Sequence, residues 1–322
     1  MNHSRRTQLK AAAGLFAAAT VPGALAQPAY PSNVIRVVIP SAPGGGYDIL
    51  MRLIGQKLTE SWGQPCIIES RPGASGAIAA TTVARSPADG YSLLLNYSAF
   101  LSNTVLHSNP GYKLADFEPI GLVILAPIAL GVRASLGVNT LPEYLALARS
   151  QPGKLSYGSY GPGSGGHFVG ELINLAAGTE IAHVPYKGEA PAILDLLGGQ
   201  IDAAITSLGA VARQPDRIKP LAVVSATRST LYSDVPTFAE AGLPAVNMPG
   251  FGCLFAPTGT PKPIIDKLTA EIGRVVHLPD VSAKAVELGF QPAGWNQGRT
   301  RAFLDEQLAL IRKLVNEGRV RI

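Results

Sequence analysis

The sequence lacks the residue patterns that identify several classes of enzyme and metalloprotein. Its five histidines and two cysteines show no H-x-x-x-H or C-x-x-C spacing, so a metal site has no support. No Gly-Lys-Ser/Thr follows a glycine loop, which argues against a P-loop for nucleotide phosphate. Neither Ser75 nor Ser164 lies in a G-x-S-x-G sequence, and a serine at a helix start is more often an N-cap than a nucleophile. The chain therefore offers no acid/base or metal constellation.

Long apolar runs are also missing. No segment after the N-terminus provides the ~20 uninterrupted apolar residues that cross a bilayer. The N-terminus itself combines Arg5-Arg6, a short alanine-rich stretch at 11–19 and the small-residue sequence Ala24-Leu25-Ala26. This order predicts an export signal over residues 1–26, of the twin-arginine type, and a mature chain that begins at Gln27. We expect a soluble, monomeric protein of the periplasm.

Charge of either sign is sparse in the predicted mature chain. The whole sequence has 27 Lys and Arg against 22 Asp and Glu, and the signal removes three of the basic residues and no acidic one. The remaining 24 basic and 22 acidic side chains give a net charge of +2, which argues against a nucleic-acid partner. Cys66 and Cys253 lie in apolar, strand-like runs, where they form either a disulfide or buried free thiols.

Short strand-like runs alternate with helical patterns along most of the chain. This alternation predicts an α/β fold with largely parallel sheets, and the length suffices for two lobes. The predicted strands are residues 34–39, 66–69, 91–95, 128–132, 155–158, 181–184, 201–205 and 220–225. The predicted helices are residues 48–61, 75–84, 141–149, 164–176, 190–197, 261–276, 281–288 and 300–317.

The segment VVIPSAPGGGYDILMRLIGQKL, residues 37–58, predicts a strand, a glycine loop and an amphipathic helix. Gly44, Gly45 and Gly46 let the backbone present its N–H groups at the positive end of the helix dipole. Such a place suits an anion, and the alternative is a tight turn without a ligand. Asp48 opens the helix, where it either caps the helix dipole, stiffens the glycine loop, or does both.

A second segment, residues 155–178, repeats this order of strand, glycine loop and helix. If the two loops face each other across a cleft, helix N-termini from both sides hold one small anion. The spacing Gly161-x-Gly163-x-x-Gly166 also matches a dinucleotide fingerprint, so an exported NAD(P)-dependent oxidoreductase is an alternative. The only acid near the required position is Glu189, past the strand end. A serine hydrolase that uses Ser164 is a third, weaker hypothesis.

Several long stretches, in order and over essentially the whole mature chain, resemble the Bug/TctC family of extracytoplasmic solute-binding proteins. They read YPSNVIRVVIPSAPGGGYDILMRLIGQKL, GQPCIIESRPGASGAIAATTVARSPADGYSLLL, LSYGSYGPGSGGHFVGELI, HVPYKGEAPAILDLLGGQIDAAI and DVPTFAEAGLP. The resemblance implies a two-lobed, Venus-flytrap fold with mixed, mostly parallel sheets. Lobe 1 would comprise residues 27–125 and 226–322, and lobe 2 residues 126–225.

The resemblance also implies a function without chemistry or cofactor. The protein would capture a small carboxylate, whether a di- or tricarboxylate, an aromatic carboxylate or an acidic amino acid. Its partner would be a tripartite tricarboxylate-type membrane transporter, or a sensor receptor.

The resemblance assigns ligand contacts residue by residue. From lobe 1 these are Ser41, Ala42, Pro43, Gly44, Gly45, Gly46, Tyr47, Asp48, Asn96, Tyr97 and Ser98. From lobe 2 they are Ser159, Tyr160, Gly161, Gly163, Ser164, His167, Tyr186, Lys187, Asp202 and Ser207. His167 is alternatively a half-buried structural histidine, and Lys187 a solvated turn residue. Ser41 stands where many relatives have an aromatic residue, and Tyr47 could supply the missing ring with a polar tip.

Overall fold

The computed structural model describes residues 30–320, so the export signal predicted for residues 1–26 lies outside the described residues. The strands are β1 Ile35–Ile39, β2 Cys66–Ser70, β3 Ser92–Tyr97, β4 Phe117–Ala126, β5 Ile128–Arg133, β6 Ser156–Ser159, β7 Ala182–Pro185, β8 Ala203–Ser207, β9 Ile218–Val224, β10 Gly250–Pro257 and β11 Gln291–Pro292. The helices are α1 Gly46–Trp62, α2 Ala77–Ala84, α3 Ala99–Leu106, α4 Leu141–Ser150, α5 Gly165–Ala177, α6 Glu189–Leu197, α7 Leu208–Ala212, α8 Lys262–Val276, α9 Pro279–Glu287 and α10 Gln297–Asn316.

The strands form two sheets, which confirms the predicted α/β fold with two lobes. The sheet of lobe 1 has the order β11-β4-β10-β3-β1-β2, and the sheet of lobe 2 has the order β7-β6-β8-β5-β9. In each sheet three strands are parallel, β1 to β3 in lobe 1 and β6 to β8 in lobe 2. The carboxyl ends of parallel strands meet at one edge, so the loops after them gather there.

The prediction of mostly parallel sheets is wrong. Between residues 30 and 320 the named strands make four parallel and five antiparallel pairs. The antiparallel pairs involve β4, β5, β9 and β10, which lead the chain out of one lobe and into the other. These strands are not joined by helical crossovers, and a crossover is what makes neighbouring strands parallel.

Each predicted strand and helix has a counterpart, but the predicted ranges include no β4, β10 or β11 and no α3 or α7, and β10 was indicated only as the strand-like run around Cys253. β4 contains Pro119 and Gly121, both unfavourable within a strand, and Ile120 between them is skipped where the register with β10 shifts. Gly121 is required because a Cβ there would stand 2.7 Å from the Trp295 carbonyl oxygen. The missed helix α3 is only eight residues long and has no side-chain cap.

Two segments connect the lobes, and they differ in length. Only Pro127 separates β4 from β5. The second crossing lies later than the predicted residue 226, because Thr237 forms a parallel bridge to Val223 of β9. The Phe238 N–H also donates to the Val223 carbonyl at 3.0 Å, so residues 236–238 still belong to the sheet edge of lobe 2.

The two cysteines are free thiols. Cys66 begins β2 and Cys253 lies in β10, and β1 and β3 stand between these strands. Three inter-strand spacings of ~4.8 Å put the two residues roughly 14 Å apart, beyond the ~7 Å that a disulfide can bridge between Cα atoms. Of the two hypotheses, the structure therefore supports buried or half-buried thiols.

Helices α1 and α5, which follow the two glycine loops, pack closely against the sheets of their lobes. α1 buries Leu50, Ile54 and Leu58 in one cluster with the apolar side chains of β1, at roughly 1.5–3 kcal/mol for each fully buried side chain. In lobe 2, α5 crosses the buried ring of Tyr157 at Gly170, where an added Cβ would lie 2.2 Å from the ring carbon Cζ. No helix of the described residues is long and apolar enough to span a bilayer.

We expect Gly170→Ala to destabilise the protein by about 1–3 kcal/mol, although alanine favours helices, because the methyl group overpacks a rigid core. The control is Gly209→Ala in α7, where an added Cβ meets nothing within 4 Å. That variant should be neutral or stabilised by up to ~1 kcal/mol. Denaturant unfolding of both variants measures the difference, and equal stability of the two would contradict the packing argument.

Candidate functional site

The first glycine loop leads from β1 to the start of α1 at the edge where parallel strands end. Gly44 has a φ of +81°, a conformation that favours glycine. Gly46 opens α1 beside Phe290, and a Cβ there would stand 3.1 Å from the ring. Because the first N–H groups of a helix have no intrahelical acceptor, the loop presents free donors toward the space between the lobes.

The side chain of Asp48 stabilises this loop from the side that faces away from the cleft. Its side chain is buried, and its Oδ2 accepts from the Gly44 N–H at 2.9 Å and from Arg52 Nε at 3.0 Å. Ser70 donates to the other oxygen at 3.3 Å. The hydrogen bond from Arg52 lowers the pKa of Asp48, and the Gly44 N–H adds to the effect against burial. Asp48 is thus an ionised brace for the loop.

Tyr47 provides an aromatic wall beside the loop. Its ring centroid lies 4.9 Å from that of Phe290 and 5.6 Å from that of Tyr97. Its hydroxyl donates to the Phe251 carbonyl at 3.2 Å, which fixes the ring against β10. Burial raises the pKa of Tyr47, and the nearby Tyr160 of lobe 2 raises it further. Tyr47 is therefore a neutral, fixed ring close to the opposite lobe.

Asn96 braces a neighbouring loop that the sequence analysis did not include in the site. Residues 73–76 all have positive φ values between 46° and 120°, which is strained for Ala74 and Ser75. Asn96 is fully buried and donates to the Gly76 carbonyl at 3.3 Å, and Asn103 donates to the Ser75 carbonyl at 3.1 Å. The pair of glycines in RPGASG was the only available signal for this loop. The partly exposed Tyr97 and Ser98 follow at the end of β3.

The glycine loop of lobe 2 is held by the same kind of contact as the loop of lobe 1. Gly163 donates its N–H to Nδ1 of His167 at 3.1 Å, four residues ahead, as Gly44 does to Asp48. Ser164 is the N-cap of α5, with its Oγ accepting from the His167 N–H at 3.3 Å. His167 is buried and serves the loop, which favours the structural interpretation of this residue.

A second histidine, which the sequence analysis missed, lies behind this loop. The ring of His183 stacks on that of His167 with centroids 3.8 Å apart, and its Nε2 lies 2.8 Å from Ser159 Oγ. Burial lowers the pKa of His167 to about 3 and that of His183 to about 4. Both rings are neutral at ordinary pH, so the stacked pair is a packing element that keeps Ser159 and the loop in place.

Tyr160 follows Ser159 and turns its phenol onto the start of α5. A Cβ added to Gly165 would stand 2.6 Å from the Tyr160 hydroxyl oxygen, and one added to Gly166 would stand 3.1 Å from its ring. Burial raises the pKa of Tyr160, Glu189 raises it further, and the amides of Gly166 and Gly165 oppose the shift. The phenol therefore stays protonated and occupies the N-terminus of α5.

The strand ends of lobe 2 contribute in three different ways. Tyr186 donates to Asp195 Oδ2 at 2.7 Å and packs its ring on Gly158, so it braces the sheet. Lys187 is exposed. Ser207 is held by Glu189, whose two oxygens accept from the Ser207 N–H at 3.0 Å and from its hydroxyl at 2.8 Å. Glu189, at the start of α6, thus fixes Ser207, whereas sequence reasoning weighed it only for a dinucleotide.

Asp202 does not lie with the other predicted contacts. It precedes β8, and its carboxylate accepts from Arg133 NH2 at 2.9 Å and from the Ser156 N–H at 3.0 Å. Ser156 begins β6, so Asp202 stands at the amino ends of these parallel strands. Ser207 lies five positions further along the chain, at the end of β8, or roughly 16 Å away at ~3.3 Å per residue. Its assignment as a ligand contact is therefore wrong.

Helix α3 of lobe 1 lies directly against the glycine loop of lobe 2. Ser102 of α3 donates from its Oγ to the Gly163 carbonyl at 2.9 Å. An added Cβ at Gly163 would stand 2.5 Å from the Leu106 side chain, so α3 packs closely on this loop. The remaining predicted contacts, from Ser41 to Gly46 and at Gly161, lie on these same two loops. The two lobes are therefore in contact at the glycine loop of lobe 2.

The chemistry of the cleft does not favour the enzymatic hypotheses. Ser159 and His183 resemble a nucleophile and its base, but Ser159 is fully buried. The third glycine of the dinucleotide fingerprint, Gly166, serves helix packing, since a Cβ there would stand 2.2 Å from the Ile205 carbonyl oxygen. Glu189, the acid weighed for the dinucleotide fingerprint, accepts a hydrogen bond from the Ser207 hydroxyl. Within residues 30–320, no group of three His, Cys, Asp or Glu side chains is placed to hold a metal ion.

Two α/β lobes with loops that meet across a cleft define a two-lobed solute-binding protein. A profile of the family described as "Tripartite tricarboxylate transporter family receptor" (TctC) matches residues 50–319. BugT of Bordetella pertussis is 32% identical over 308 residues, which cover 94% of this chain and 94% of BugT. The chain belongs to the TctC family of solute-binding receptors, as the resemblance predicted.

Solved structures agree with this membership. The chain is similar to R. palustris Rpa4515 with adipate, with a TM-score of 0.78 and 33% identity over 91% of this chain and 99% of that one. It is also similar to MatC (Rpa3494) from Rhodopseudomonas palustris with bound malate, with a TM-score of 0.73 and 29% identity over 89% and 100% of the two chains.

Replacing Asp48 with asparagine should loosen the first glycine loop and cost about 1–3 kcal/mol of unfolding free energy, because the buried contacts to Arg52 and Gly44 lose a charge. The pKa of Asp48 is lowered by folding, so its contribution is present above about pH 4 and is lost as the pH falls through the folded-state pKa. Urea unfolding at pH 7 measures the loss. The exposed pair Lys262–Asp266 has the same i, i+4 spacing, and Asp266→Asn is the control, with a change below ~0.5 kcal/mol. Equal effects of the two changes would contradict the bracing role.

The histidine pair predicts a loss of stability in mild acid. Since folding lowers both pKa values, to about 3 and about 4, the unfolded chain binds more protons below its own histidine pKa of ~6.5. Stability should therefore fall as the pH drops from about 6.5 to about 4, and His183→Gln should reduce this slope. Burial raises the pKa of Glu171, which acts in the opposite direction, so the difference between wild type and variant is the quantity to measure. The exposed His277→Gln is the control, and an unchanged slope in His183→Gln would refute the prediction.

Proposed function

We propose that this protein captures a small organic acid between its two lobes and releases it unchanged. The observation that carries the proposal is the pair of strand, glycine loop and helix units, one in each lobe, of which the loop of lobe 2 is in contact with lobe 1. Helix N-termini and loop N–H groups favour negative charge. No catalytic group faces this cleft in the described part of the chain, so binding and release are the proposed activity.

The proposed ligand is a small carboxylate, whether a di- or tricarboxylate, an aromatic carboxylate or an acidic amino acid. Backbone donors recognise a carboxylate without an arginine, and Arg52 of α1 is already paired with Asp48. The relatives crystallised with adipate and with malate support this class. The proposed contacts are Ser41, Ala42, Pro43, Gly44, Gly45, Gly46, Tyr47, Tyr97, Ser98, Tyr160, Gly161, Gly163, Ser164, Lys187 and Ser207, with Asp48, Asn96, Ser159, His167 and Tyr186 behind them.

We further propose a periplasmic location after cleavage near Ala26, and delivery of the ligand to a tripartite tricarboxylate-type transporter or to a sensor receptor. The family profile supports the first of these partners. Closure would bring together lobe 1, residues 27–125 and about 239–322, and lobe 2, residues 126 to about 238. The single residue between β4 and β5 suits a hinge, since a short link confines the motion.

Isothermal titration of the mature protein against di- and tricarboxylates, aromatic carboxylates and acidic amino acids tests the proposal. We expect at least one acid to bind at micromolar concentration, and its primary amide to bind at least tenfold more weakly because the amide carries no charge. A ligand at 100 times its Kd should also stabilise the fold by ~2.7 kcal/mol.

NADH and NADPH belong in the same series as negative controls. Silence across all acids would refute the proposed function. A thermal shift with NADH or NADPH alone would instead favour the exported oxidoreductase.

A further inference from the structure

The two helix N-termini at the cleft are not equivalent. At α1 the first turn presents the N–H groups of Gly46 and Tyr47, and the nearby acid, Asp48, turns back to Gly44. At α5 the Tyr160 side chain lies against the corresponding residues, since an added Cβ would stand 2.6 Å from its hydroxyl at Gly165 and 3.1 Å from its ring at Gly166. Lobe 1 thus offers an open anion position, whereas lobe 2 fills its own with a phenol oxygen.

The chain holds Tyr160 in this position from both sides. Ser159, directly before it, ends β6, is fully buried, and contacts His183 at 2.8 Å. Gly161, directly after it, donates its N–H to Ser159 Oγ at 3.2 Å. A ligand group at α5 would therefore have to displace a ring whose backbone is fixed.

The charges around α5 also oppose a second anion. Glu189 lies close enough to raise the pKa of Tyr160, and its carboxylate is held in place by Ser207. The nearby basic side chain in the sequence, Lys187, two residues before Glu189, is exposed. A carboxylate at this end would exchange a neutral phenol for a negative charge beside Glu189, which is unfavourable at short range.

The space between the two helix ends is bounded by aromatic rings. Tyr47 and Tyr97 have centroids 5.6 Å apart on the side of lobe 1, and Tyr160 of lobe 2 is close enough to raise the pKa of Tyr47. Rings of this kind pack well on flat, uncharged ligand surfaces.

We infer that Tyr160 is a specificity-determining residue, which keeps the α5 position for its own hydroxyl and so selects an aromatic monocarboxylate. The single carboxylate is bound at the start of α1, and the ring of the ligand packs on Tyr47, Tyr97 and Tyr160. This inference rests on the proposed function and narrows its ligand class from any small carboxylate to one with a single charge.

Titration with 4-methylbenzoate and terephthalate tests the inference, because the two acids share a ring and differ in the second carboxylate. Wild type should bind 4-methylbenzoate at least tenfold more tightly than terephthalate. Tyr160→Ala opens the N-terminus of α5 and should reduce this ratio at least tenfold. Tyr160→Phe keeps the ring and removes only the oxygen, so it should also gain affinity for terephthalate while 4-methylbenzoate stays within about threefold.

Tyr91→Phe is the control, since Tyr91 precedes β3 at the opposite end of the sheet and should leave the ratio unchanged. Thermal unfolding confirms that each variant is folded. If wild type prefers terephthalate, if 4-methylbenzoate does not bind, or if both Tyr160 variants keep the wild-type ratio, the inference is overturned. These results leave the proposed function standing when any other acid of the series binds, whereas silence across the whole series overturns both.

Discussion

The structure depends on the N–H groups at the start of two helices, which have no intrahelical acceptor. A helix leaves its first donors without partners, and both α1 and α5 begin at the inner edge of a sheet, where the two lobes meet. Donors in such a cleft require an acceptor or water, since an unsatisfied buried donor costs ~1–3 kcal/mol. The glycine loops, the bracing side chains and the approach of the lobes all serve to hold these donors at one place.

The glycine loops of the two lobes are held by the same type of hydrogen bond, which is made by a different side chain in each lobe. In each loop a glycine N–H donates to the side chain four residues ahead, Asp48 in lobe 1 and His167 in lobe 2. The aspartate is ionised and paired with Arg52, whereas the histidine is neutral, buried and stacked on His183. The loop of lobe 1 therefore rests on an ion pair, and the loop of lobe 2 rests on apolar and ring packing. The negative charge of Asp48 is tolerated near the start of α1 because Arg52 compensates it. In lobe 2 the acceptor, His167, is uncharged and needs no compensating charge.

Sequence reasoning located the two glycine loops more reliably than it assigned roles to individual side chains. Glycine spacing located both loops, because positive φ values and close backbone approaches require that residue type. The same reasoning could not say that Asn96, His167 and Tyr186 turn inward, since the direction of a polar side chain depends on which backbone groups need a partner. It also misplaced Asp202. A residue next to a strand end belongs to the cleft only if that end of the strand lies at the cleft edge of the sheet. Asp202 lies at the opposite edge, where the parallel strands begin.

The sequence by itself determined the alternation of strands and helices, the two glycine loops and the family, because these depend on local periodicity, backbone conformation and collinear motifs. Tertiary structure alone decided that antiparallel strands carry the chain between lobes, that residues 236–238 remain with lobe 2, and that Tyr160 lies across the start of α5. Each of these depends on contacts between residues distant in the chain, or on the packing space around one side chain. Neither the distant contacts nor the packing space can be read from the local pattern of residue types.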